Sequence, residues 1–327
     1  MRIGINGFGR IGRMVARLIQ DREGMELVAV NDLADVTTMT HLLKYDSIHG
    51  PFKGELTSTG NGMLINGKPV RWSSHERPSQ IDWSGVDIVF EATGFFKDQE
   101  AKEHLHHGVK KVIITAPTTS SDIKTIVLGV NDEVLEDSDV VMSNASCTTN
   151  NAAPMIAILD ELCGIEQGYI TTVHSYTGDQ RLHDAPHNDL RRARAAAQSI
   201  VPTTTGAAKA ITKIFPHLEG KLGGCGIRVP VPDGSLTDIT CTVRNPLPQE
   251  AINKAFKDLS SGSLKGILGY TEDPIVSVDI IGNPLSCLFD AQLTSVLGNM
   301  VKVVGWYDNE AGYSNRLLDL GEKVFKA

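Results

Sequence analysis

The chain has few cysteines, few aromatic residues and no long apolar run. Only five of its 327 residues are cysteine, and none forms a CxxC pair, so neither a disulfide framework nor a zinc site is indicated. No segment approaches the length of a transmembrane helix, and the N-terminal stretch MRIGINGFGR lacks the apolar core of a secretory signal. We therefore expect a cytoplasmic protein in a reducing compartment.

The chain also lacks an excess of basic residues. Its formal net charge is −8, which argues against a broad surface for nucleic acids or acidic membranes, because both partners require positive charge. Any anionic partner must then be bound by local cations. At 41% hydrophobic and 21% charged residues, the chain is long enough for about two domains with well-filled cores.

The strongest local signal lies at the N-terminus. RIGIN (2–6) has the pattern of a buried strand, and the glycines that follow it, Gly7, Gly9 and Gly12, have GxGxxG spacing. A helix follows, and then a second strand that ends at Asp32. In this arrangement the helix N-terminus binds a pyrophosphate and the acidic residue binds the adenosine ribose. We predict a dinucleotide site that uses NAD, because Asp32 would repel the extra phosphate of NADP.

The apolar runs indicate two kinds of sheet. Runs at 86–94, 110–117, 125–131 and 138–144 alternate with polar or helical segments, which is typical of a mostly parallel sheet with helices on both faces. After a helix that starts near Thr148, five closely spaced strands are predicted: GYITTVHSY, CGIRVPVP, LTDITCTVRN, PIVSVDIIG and MVKVVGWYDN.

We therefore predict an α/β fold with two domains. Residues 1–146, together with a C-terminal helix at 310–327, would form a Rossmann-type, doubly wound parallel sheet. Residues 147–309 would form an α+β catalytic domain whose sheet is mainly antiparallel.

Cys147 lies in SNASCTTN (143–150), between an apolar stretch and a segment of helical periodicity. Turn-forming residues precede it, and Thr148 and its neighbours can cap the helix. At such a junction the N–H groups and the positive end of the helix dipole favour the thiolate, so we predict a lowered pKa and a reactive thiol. A buried structural role is the alternative for any cysteine, and we predict it for the other four: Cys163, Cys225, Cys241 and Cys287.

Seven motifs occur in order over nearly the whole chain: GINGFGRIGR, SNASCTTN, TVHSYTGDQ, DLRRARAAA, PTTTGAAKA, RVPVPDGS and GWYDNEAGYSNR. Together they closely resemble the phosphorylating glyceraldehyde-3-phosphate dehydrogenases. The resemblance implies a Rossmann domain joined to a catalytic domain, a homotetramer, and NAD-dependent conversion of D-glyceraldehyde 3-phosphate and inorganic phosphate to 1,3-bisphosphoglycerate.

The resemblance also assigns roles to residues. Cys147 would attack the aldehyde carbonyl, and His174 would remove the hydroxyl proton during the oxidation that leaves a thioester. The substrate's own phosphate would be bound by Thr177, Asp179 and Arg228. The attacking phosphate would be received by Ser146, Thr148, Arg192, Thr205 and Gly206. Cofactor contacts are implied at Gly7, Gly9, Arg10, Ile11, Gly12, Asp32, Leu33, Thr115, Pro186, Asn309 and Tyr313.

Two positions depart from the family pattern. Asn151 stands where many members carry a second cysteine, which removes a partner for an internal disulfide but leaves the mechanism intact. Ala311 replaces an aromatic residue that is common in this motif.

The sequence also allows two alternative functions and raises the question of a metal site. Erythrose-4-phosphate dehydrogenase, which hydrolyses its thioester, and a non-catalytic binding or adhesion role are the alternative functions. His183 and His187 have the spacing of a zinc pair, but Pro186 lies between them and no glutamate follows the first, so we expect no metal site. The histidines at 104, 106 and 107 are predicted to lie at a solvated helix end.

Overall fold

The structure is a computed structural model that describes residues 1–326, and the chain forms two compact units within it. The first comprises Met1–Ile126, Glu133–Ala145 and the residues from Ser314 onward; the second comprises Val127–Asp132 and Ser146–Tyr313. Over the described residues, no helix is both long and apolar enough to cross a membrane.

Residues 1–326 form six α-helices and two sheets. The first sheet contains β1 (Arg2–Asn6), β2 (Glu26–Asn31), β3 (Leu56–Thr59), β4 (Gly62–Ile65), β5 (Lys68–Ser73), β6 (Ile88–Glu91), β7 (Lys111–Ile114), β8 (Lys124–Thr125) and β9 (Val141–Ser143). The second contains β10 (Ile165–Ser175), β11 (Val201–Thr203), β12 (Leu222–Val229), β13 (Ser235–Val243), β14 (Leu268–Thr271), β15 (Cys287–Asp290), β16 (Ser295–Leu297) and β17 (Met300–Tyr307). The helices are α1 (Arg10–Ile19), α2 (Val36–Lys44), α3 (Cys147–Cys163), α4 (Ala207–Ile214), α5 (Gln249–Ser261) and α6 (Ala311–Lys326).

The strand order confirms the predicted fold class. The first sheet runs β3-β4-β5-β2-β1-β6-β7-β9-β8, and every pair from β5 to β8 is parallel. The second runs β11-β12-β10-β13-β17-β15-β14, and most of its pairs are antiparallel. Because β10 is central in the second sheet, the side chains at its end are held on both sides.

Polar side chains join the carboxyl ends of three strands in the first unit. Asn31 Nδ2, at the end of β2, donates to Asn6 Oδ1 of β1 over 2.8 Å, and Asn6 Nδ2 donates to Glu91 Oε2 of β6 over 2.6 Å. All three side chains are buried. Such satisfied buried bonds fix the strand ends, which is the edge where a dinucleotide binds in this fold class.

One histidine prediction is wrong. His104 is fully buried, and it accepts a hydrogen bond from Trp83 Nε1 at 3.0 Å on Nδ1 while its Nε2 lies 2.9 Å from Glu91 Oε2. His106 is half-buried and His107 is exposed. The indole and the carboxylate that satisfy His104 come from distant parts of the chain, so the local pattern gave no sign of them.

Two predicted strands are also wrong. Of the strand predicted at 125–131, only Thr125 lies in a strand, at the end of β8. The chain turns after it, because Gly129 takes a φ of +76° and Asn131 Oδ1 accepts the Val127 N–H. At 274–282 the chain forms a 3₁₀ helix, Ser277–Ile280, and Asp279 Oδ2 accepts the Val276 N–H. In both segments a short polar side chain binds the backbone locally and competes with strand pairing.

Candidate active site

Cys147 is the first residue of α3, and the helix is capped directly before it. Ser146 is the N-cap, and its Oγ accepts a hydrogen bond from Thr149 N at 3.1 Å. Ala145, which leads into this turn, has a φ of +55°, a left-handed conformation that is costly for a residue with a Cβ. The turn therefore places a partly buried thiol at the start of a helix, as the sequence predicts.

His174 lies next to the thiol. It is the penultimate residue of β10, it is 5% exposed, and its Nε2 is 3.5 Å from Cys147 Sγ. A thiol and an imidazole at this distance can exchange a proton. The two groups thus form a candidate nucleophile and base.

The other ring nitrogen of His174 has two neighbours. Nδ1 lies 2.8 Å from the carbonyl oxygen of Ser175 and 2.6 Å from Nη1 of Arg228, which is itself 3.1 Å from the same carbonyl. A guanidinium only donates and a carbonyl only accepts, so Nδ1 cannot serve both at once. The arrangement that leaves Nε2 free to accept the thiol proton is the one in which Nδ1 and Arg228 both donate to the Ser175 oxygen.

The charge state differs from the sequence prediction. Burial raises the pKa of the Cys147 thiol, and this outweighs the lowering by Arg228, by the Thr148 hydroxyl and by backbone N–H groups. Burial, followed by Arg228, lowers the pKa of His174 to about 3. The predicted lowered pKa of the thiol is therefore wrong for the chain without ligands, because desolvation of the charged form exceeds the effect of the helix N-terminus.

Two of the three residues predicted to bind the substrate's phosphate, Thr177 and Asp179, contact each other. Asp179 Oδ1 accepts a short hydrogen bond from the Thr177 hydroxyl, and Asp179 Oδ2 lies 2.6 Å from Arg192 Nη1. The structure therefore brings Arg192 to Asp179, although the sequence grouped it with the attacking phosphate. Arg192 Nε also donates to Thr203 Oγ1 at 2.9 Å, so the guanidinium is oriented at both ends.

The other predicted anion contacts lie at two helix starts. Thr148 is the second residue of α3, and it is buried. Gly206 is the N-cap of α4, and Thr205 Oγ1 accepts the Ala207 N–H at 3.2 Å. Helix N-termini present free N–H groups that suit an anion. The contact of these residues with phosphate stays a prediction.

The glycine loop has the shape that a pyrophosphate requires. Gly7 has a φ of +92°, and a Cβ there would lie 2.6 Å from Thr93 N; a Cβ on Gly12 would lie 2.2 Å from the Gly7 oxygen. By contrast, a Cβ on Gly9 would meet nothing within 4 Å. Gly7 and Gly12 thus allow the turn and the close helix packing, while the backbone at Gly9, the N-cap of α1, is open to a ligand.

Asp32 follows β2 and is fixed by the backbone. Its Oδ2 accepts the Phe8 N–H at 2.6 Å, and its Oδ1 accepts the Ala34 N–H at 2.9 Å. The carboxylate therefore holds the glycine loop in place, and its contact with a ribose stays a prediction. Leu33 beside it is 65% exposed and offers no polar group to a 2′-phosphate.

The remaining predicted cofactor residues fall in both units. In the first, Arg10 and Ile11 begin α1, Arg10 Nη1 lies 2.6 Å from Asp46 Oδ2, and Thr115 follows β7. In the second, Pro186 is exposed, and Asn309 and Tyr313 are buried.

Comparison with known proteins identifies the family. The family model for the C-terminal domain of glyceraldehyde 3-phosphate dehydrogenase matches residues 146–309. The family model for the NAD binding domain of the same enzyme matches residues 1–99. Glyceraldehyde-3-phosphate dehydrogenase 2 of Streptomyces avermitilis is 53% identical over 326 residues, which cover 98% of this chain and 97% of that protein. The chain belongs to the glyceraldehyde-3-phosphate dehydrogenase family.

Two further relatives are similar over nearly the whole chain. Glyceraldehyde-3-phosphate dehydrogenase of Streptomyces coelicolor is 54% identical over 327 residues, covering 98% of this chain and 97% of that protein. Glyceraldehyde-3-phosphate dehydrogenase 1 of Bacillus subtilis is 50% identical over 331 residues, covering 100% and 98%. The predicted resemblance and the NAD cofactor are thereby confirmed, and the chain is an NAD-dependent oxidoreductase.

The two departures from the glyceraldehyde-3-phosphate dehydrogenase pattern have different settings. Asn151 is fully buried in α3, and its Nδ2 donates to the carbonyl oxygens of Ser286 at 3.3 Å and Trp306 at 3.2 Å. The amide thus ties α3 to the second sheet, a bond that a cysteine could not make in the same way. Ala311 begins α6, and Asp308 Oδ1 accepts its N–H at 2.7 Å.

Sequence reasoning missed several residues that hold predicted site residues in place. Ser175 Oγ and Ser235 Oγ both donate to Oδ1 of the predicted cofactor residue Asn309 at 2.8 Å, which leaves the Asn309 amide hydrogens as donors for a ligand. Tyr307, in the motif GWYDNE, bonds Thr148 and Thr172. Tyr307 and Ser175 lie within family motifs in the sequence, but the motifs do not indicate which side chains contact each other in the fold.

Proposed function

We propose that the protein catalyses the NAD-dependent oxidative phosphorylation of D-glyceraldehyde 3-phosphate to 1,3-bisphosphoglycerate, in glycolysis or gluconeogenesis, through a thioester on Cys147. The observation that carries the proposal is the pair Cys147 Sγ and His174 Nε2, 3.5 Å apart at a helix start, in a chain of this family. Arg228, at 2.6 Å from the His174 ring, places a cation beside the pair for a doubly charged substrate.

The first unit supplies groups that fit NAD. The N-terminus of α1 and the open backbone at Gly9 would bind the pyrophosphate, and Asp32 would accept the ribose hydroxyls. By resemblance to the family, Asn309, whose amide is oriented, and the buried Tyr313 are proposed to contact the nicotinamide end. When bound, NAD accepts the hydride that oxidises the substrate's aldehyde carbon.

Cys147 and His174 perform the bond making. Sγ attacks the carbonyl carbon while its proton passes to Nε2, and Nε2 returns this proton to the oxygen, which gives a hemithioacetal. During oxidation Nε2 takes the hydroxyl proton again, and the carbon remains bound to Sγ as a thioester. Burial and Arg228 hold the pKa of His174 at about 3 in the chain without ligands, so the ring is neutral and Nε2 has a lone pair to accept a proton.

Arg228 links substrate binding to this chemistry. Its charge lowers the pKa of His174, so a bound phosphate that neutralises Arg228 raises this pKa and makes Nε2 a better base. The anion also draws the guanidinium from Nδ1, which leaves Nδ1 to donate to the Ser175 oxygen. The imidazole is then in the form that accepts the thiol proton at Nε2.

The second half of the reaction uses inorganic phosphate. A phosphate oxygen attacks the thioester carbon, the carbon–sulfur bond breaks, and Cys147 leaves as the thiolate with the acyl phosphate as product. The thiolate takes back the proton held on Nε2, and the proton of the attacking phosphate goes to solvent. Ser146, Thr148, Thr205 and Gly206 are proposed to receive this phosphate, and Thr177, Asp179 and Arg228 the substrate's own. Because Arg192 contacts Asp179, we propose that Arg192 binds the substrate's own phosphate and not the attacking phosphate.

Assembly and location complete the proposal. We predict a homotetramer in which the segment from Thr177 to Gln198 lies near a neighbour's cofactor, and a cytoplasmic location. In support, Leu182 and Leu190 are 72% and 82% exposed, and Ile200 just beyond the segment is 68% exposed, apolar surface that an interface would bury. Light scattering tests the assembly, and a fully active monomer would contradict it.

The activity is tested by the absorbance of NADH. With glyceraldehyde 3-phosphate and NAD, we expect turnover that depends on added phosphate or arsenate, and none for Cys147→Ser. Turnover without phosphate, and faster with erythrose 4-phosphate, would instead support the hydrolysing relative. Absence of NADH formation with either sugar phosphate would leave only a binding role.

A further inference from the structure

Glu91 is the last residue of β6, and its carboxylate is buried at the carboxyl edge of the first sheet. Oε1 accepts the Thr93 N–H at 2.9 Å and a short hydrogen bond from the Thr93 hydroxyl. Oε2 accepts from Asn6 Nδ2 at 2.6 Å and lies 2.9 Å from His104 Nε2, which donates because Trp83 Nε1 donates to the other ring nitrogen. One acceptor-only group therefore binds four donors.

The bonds to Oε1 fix the turn that follows β6, and this turn contacts the glycine loop. A Cβ on Gly7 would lie 2.6 Å from Thr93 N and 2.7 Å from the Ala92 carbonyl carbon. The Thr93 hydroxyl oxygen also accepts the Phe95 N–H at 3.1 Å, so the turn is held on both sides of Thr93. The backbone at 92–93 thus packs directly against the first glycine of the loop, in a position that Glu91 fixes.

The bonds to Oε2 extend to the two strands that lead into the predicted cofactor contacts. Asn6 directly precedes Gly7, and its Oδ1 accepts from Asn31 Nδ2 at 2.8 Å. Asn31 directly precedes Asp32. Both amides are buried, where an unpaired donor or acceptor is costly, so each amide is oriented by the acceptor that it faces. The same carboxylate therefore orients the ends of β1 and β2.

We propose that Glu91 is a positioning residue for NAD, which acts through Thr93 and Asn6 by holding the turn after β6 and the end of β1 in the arrangement that the dinucleotide binds. The inference rests on the dinucleotide site proposed for the first unit. Glu91 does not itself contact NAD, because its carboxylate is buried and already binds four donors. Neither Glu91 nor Thr93 lies in the seven motifs that carry the family resemblance.

The test is the variant Glu91→Gln, which keeps the shape of the side chain and replaces one oxygen by an NH2 group. In either orientation of the amide this NH2 group faces donors, either those of Thr93 or those of Asn6 and His104. The readout is the Kd for NAD, measured by isothermal titration calorimetry on the whole protein without substrate. We expect the Kd to rise by about tenfold, because hydrogen bonds to a charged group are lost at the turn or at the end of β1.

Steady-state kinetics separate a loss of cofactor binding from a general loss of structure. In Glu91→Gln the KM for NAD should rise with the Kd, whereas kcat at saturating NAD and the KM for glyceraldehyde 3-phosphate should stay within about twofold of wild type. The reason is that Cys147 and His174 both lie in the second unit, which contains no partner of Glu91.

Matched variants examine the turn and the core separately. Thr93→Val removes the hydroxyl that donates to Glu91 and Thr93→Ser keeps it, so the Kd should rise by about threefold in the first and stay near that of wild type in the second. His104→Leu removes a donor from Oε2 but leaves both bonds to Thr93, so it should lower stability while the Kd stays within about twofold of wild type.

Each outcome supports or overturns the inference. An unchanged Kd in Glu91→Gln would overturn it and, if that variant does not fold, so would equal Kd values in Thr93→Val and Thr93→Ser. An equal rise in His104→Leu would also overturn it, since loss of core stability would then explain the weaker binding. A wild type that binds no NAD would refute it together with the proposed dinucleotide site. By contrast, a wild type that binds NAD but forms no NADH with either sugar phosphate would refute the proposed reaction alone.

Discussion

Two buried histidines, one in each unit, differ in what surrounds them. In the first unit His104 lies between an indole N–H and the carboxylate of Glu91. In the second unit His174 lies between a thiol and the guanidinium of Arg228. Each ring is hydrogen-bonded on both nitrogens and nearly removed from water, so burial alone does not separate structural from chemical roles.

The difference lies in whether the partners leave a proton free to move. Trp83 donates to Nδ1 of His104, so Nε2 carries the hydrogen and donates to Glu91, and no acceptor site remains on the ring. At His174 burial and, after it, the neighbouring cation lower the pKa and keep the ring neutral, and Nε2 faces a group that can give up a proton. The indole N–H and the carboxylate thus fix the proton of His104, whereas burial beside a cation leaves His174 neutral, with Nε2 facing the thiol.

The largest expected effect is on turnover. His174→Asn keeps a hydrogen-bonding amide near the position of Nδ1 but places nothing at Nε2 that can take a proton. The kcat should therefore fall by about 10²–10⁴-fold. Steady-state assays with glyceraldehyde 3-phosphate, NAD and phosphate measure it. A kcat within about threefold of wild type would remove the distinction between the two histidines, since proton transfer typically contributes about 10² or more.

The second prediction concerns how the free energy of unfolding depends on pH. His174 has a pKa of about 3 in the folded chain and 6.5 ordinarily, so the unfolded chain binds a proton in this window and the folded chain does not. Stability is therefore lost as pH falls from about 6.5 toward about 3, and wild type should lose about 3 kcal/mol more than His174→Asn between about pH 7 and pH 4. Urea unfolding at a series of pH values measures the difference, and parallel curves for the two proteins would contradict it.

The third prediction concerns the first unit. His104→Leu leaves Trp83 Nε1 and one oxygen of Glu91 without this partner inside the core, so the free energy of unfolding should fall by about 2 kcal/mol. Urea unfolding followed by tryptophan fluorescence provides the measurement. His41→Leu, an exposed histidine of α2, serves as the control and should change stability by less than about 0.5 kcal/mol. Equal losses in the two variants would show that the His104 cluster adds no stability.

The smallest expected effect is the choice of cofactor. Asp32 is held by two backbone N–H groups, and its carboxylate at the proposed ribose position should repel the 2′-phosphate, so kcat/KM should favour NAD over NADP by at least about tenfold, or about 1.4 kcal/mol. Asp32→Asn should narrow this ratio, whereas Asp35→Asn, which alters an exposed N-cap of α2, should not. An NADP value equal to or above that for NAD would contradict the argument.

Local sequence patterns predicted much of the fold. The glycine spacing at Gly7, Gly9 and Gly12, followed by Asp32, predicted the dinucleotide-binding turn, because each step depends on backbone space and short-range order. The same patterns failed at 125–131 and 274–282. There the apolar runs resembled strands, but Asn131 and Asp279 bind nearby backbone N–H groups and turn the chain.

The candidate site was predicted in part. The sequence placed Cys147 at a helix start and, through resemblance, named His174, and these two side chains lie 3.5 Å apart. It did not give the charge state of the thiol, since the pKa depends on how many atoms desolvate the sulfur. Nor did it reveal Tyr307, whose partners Thr148 and Thr172 are separated from it by more than a hundred residues along the chain.

By itself, the sequence determined the features that depend on neighbours along the chain: the glycine turn, the cap before Cys147, the strand periodicities and, through its motifs, the family. Tertiary structure alone decided which distant groups share a desolvated space. His104 and His174 are both preceded by ordinary local patterns, yet Glu91 meets one and Arg228 the other. Because electrostatic and hydrogen-bond energies depend on distance in space and on exclusion of water, only the folded chain could assign one histidine to the core and the other to the thiol.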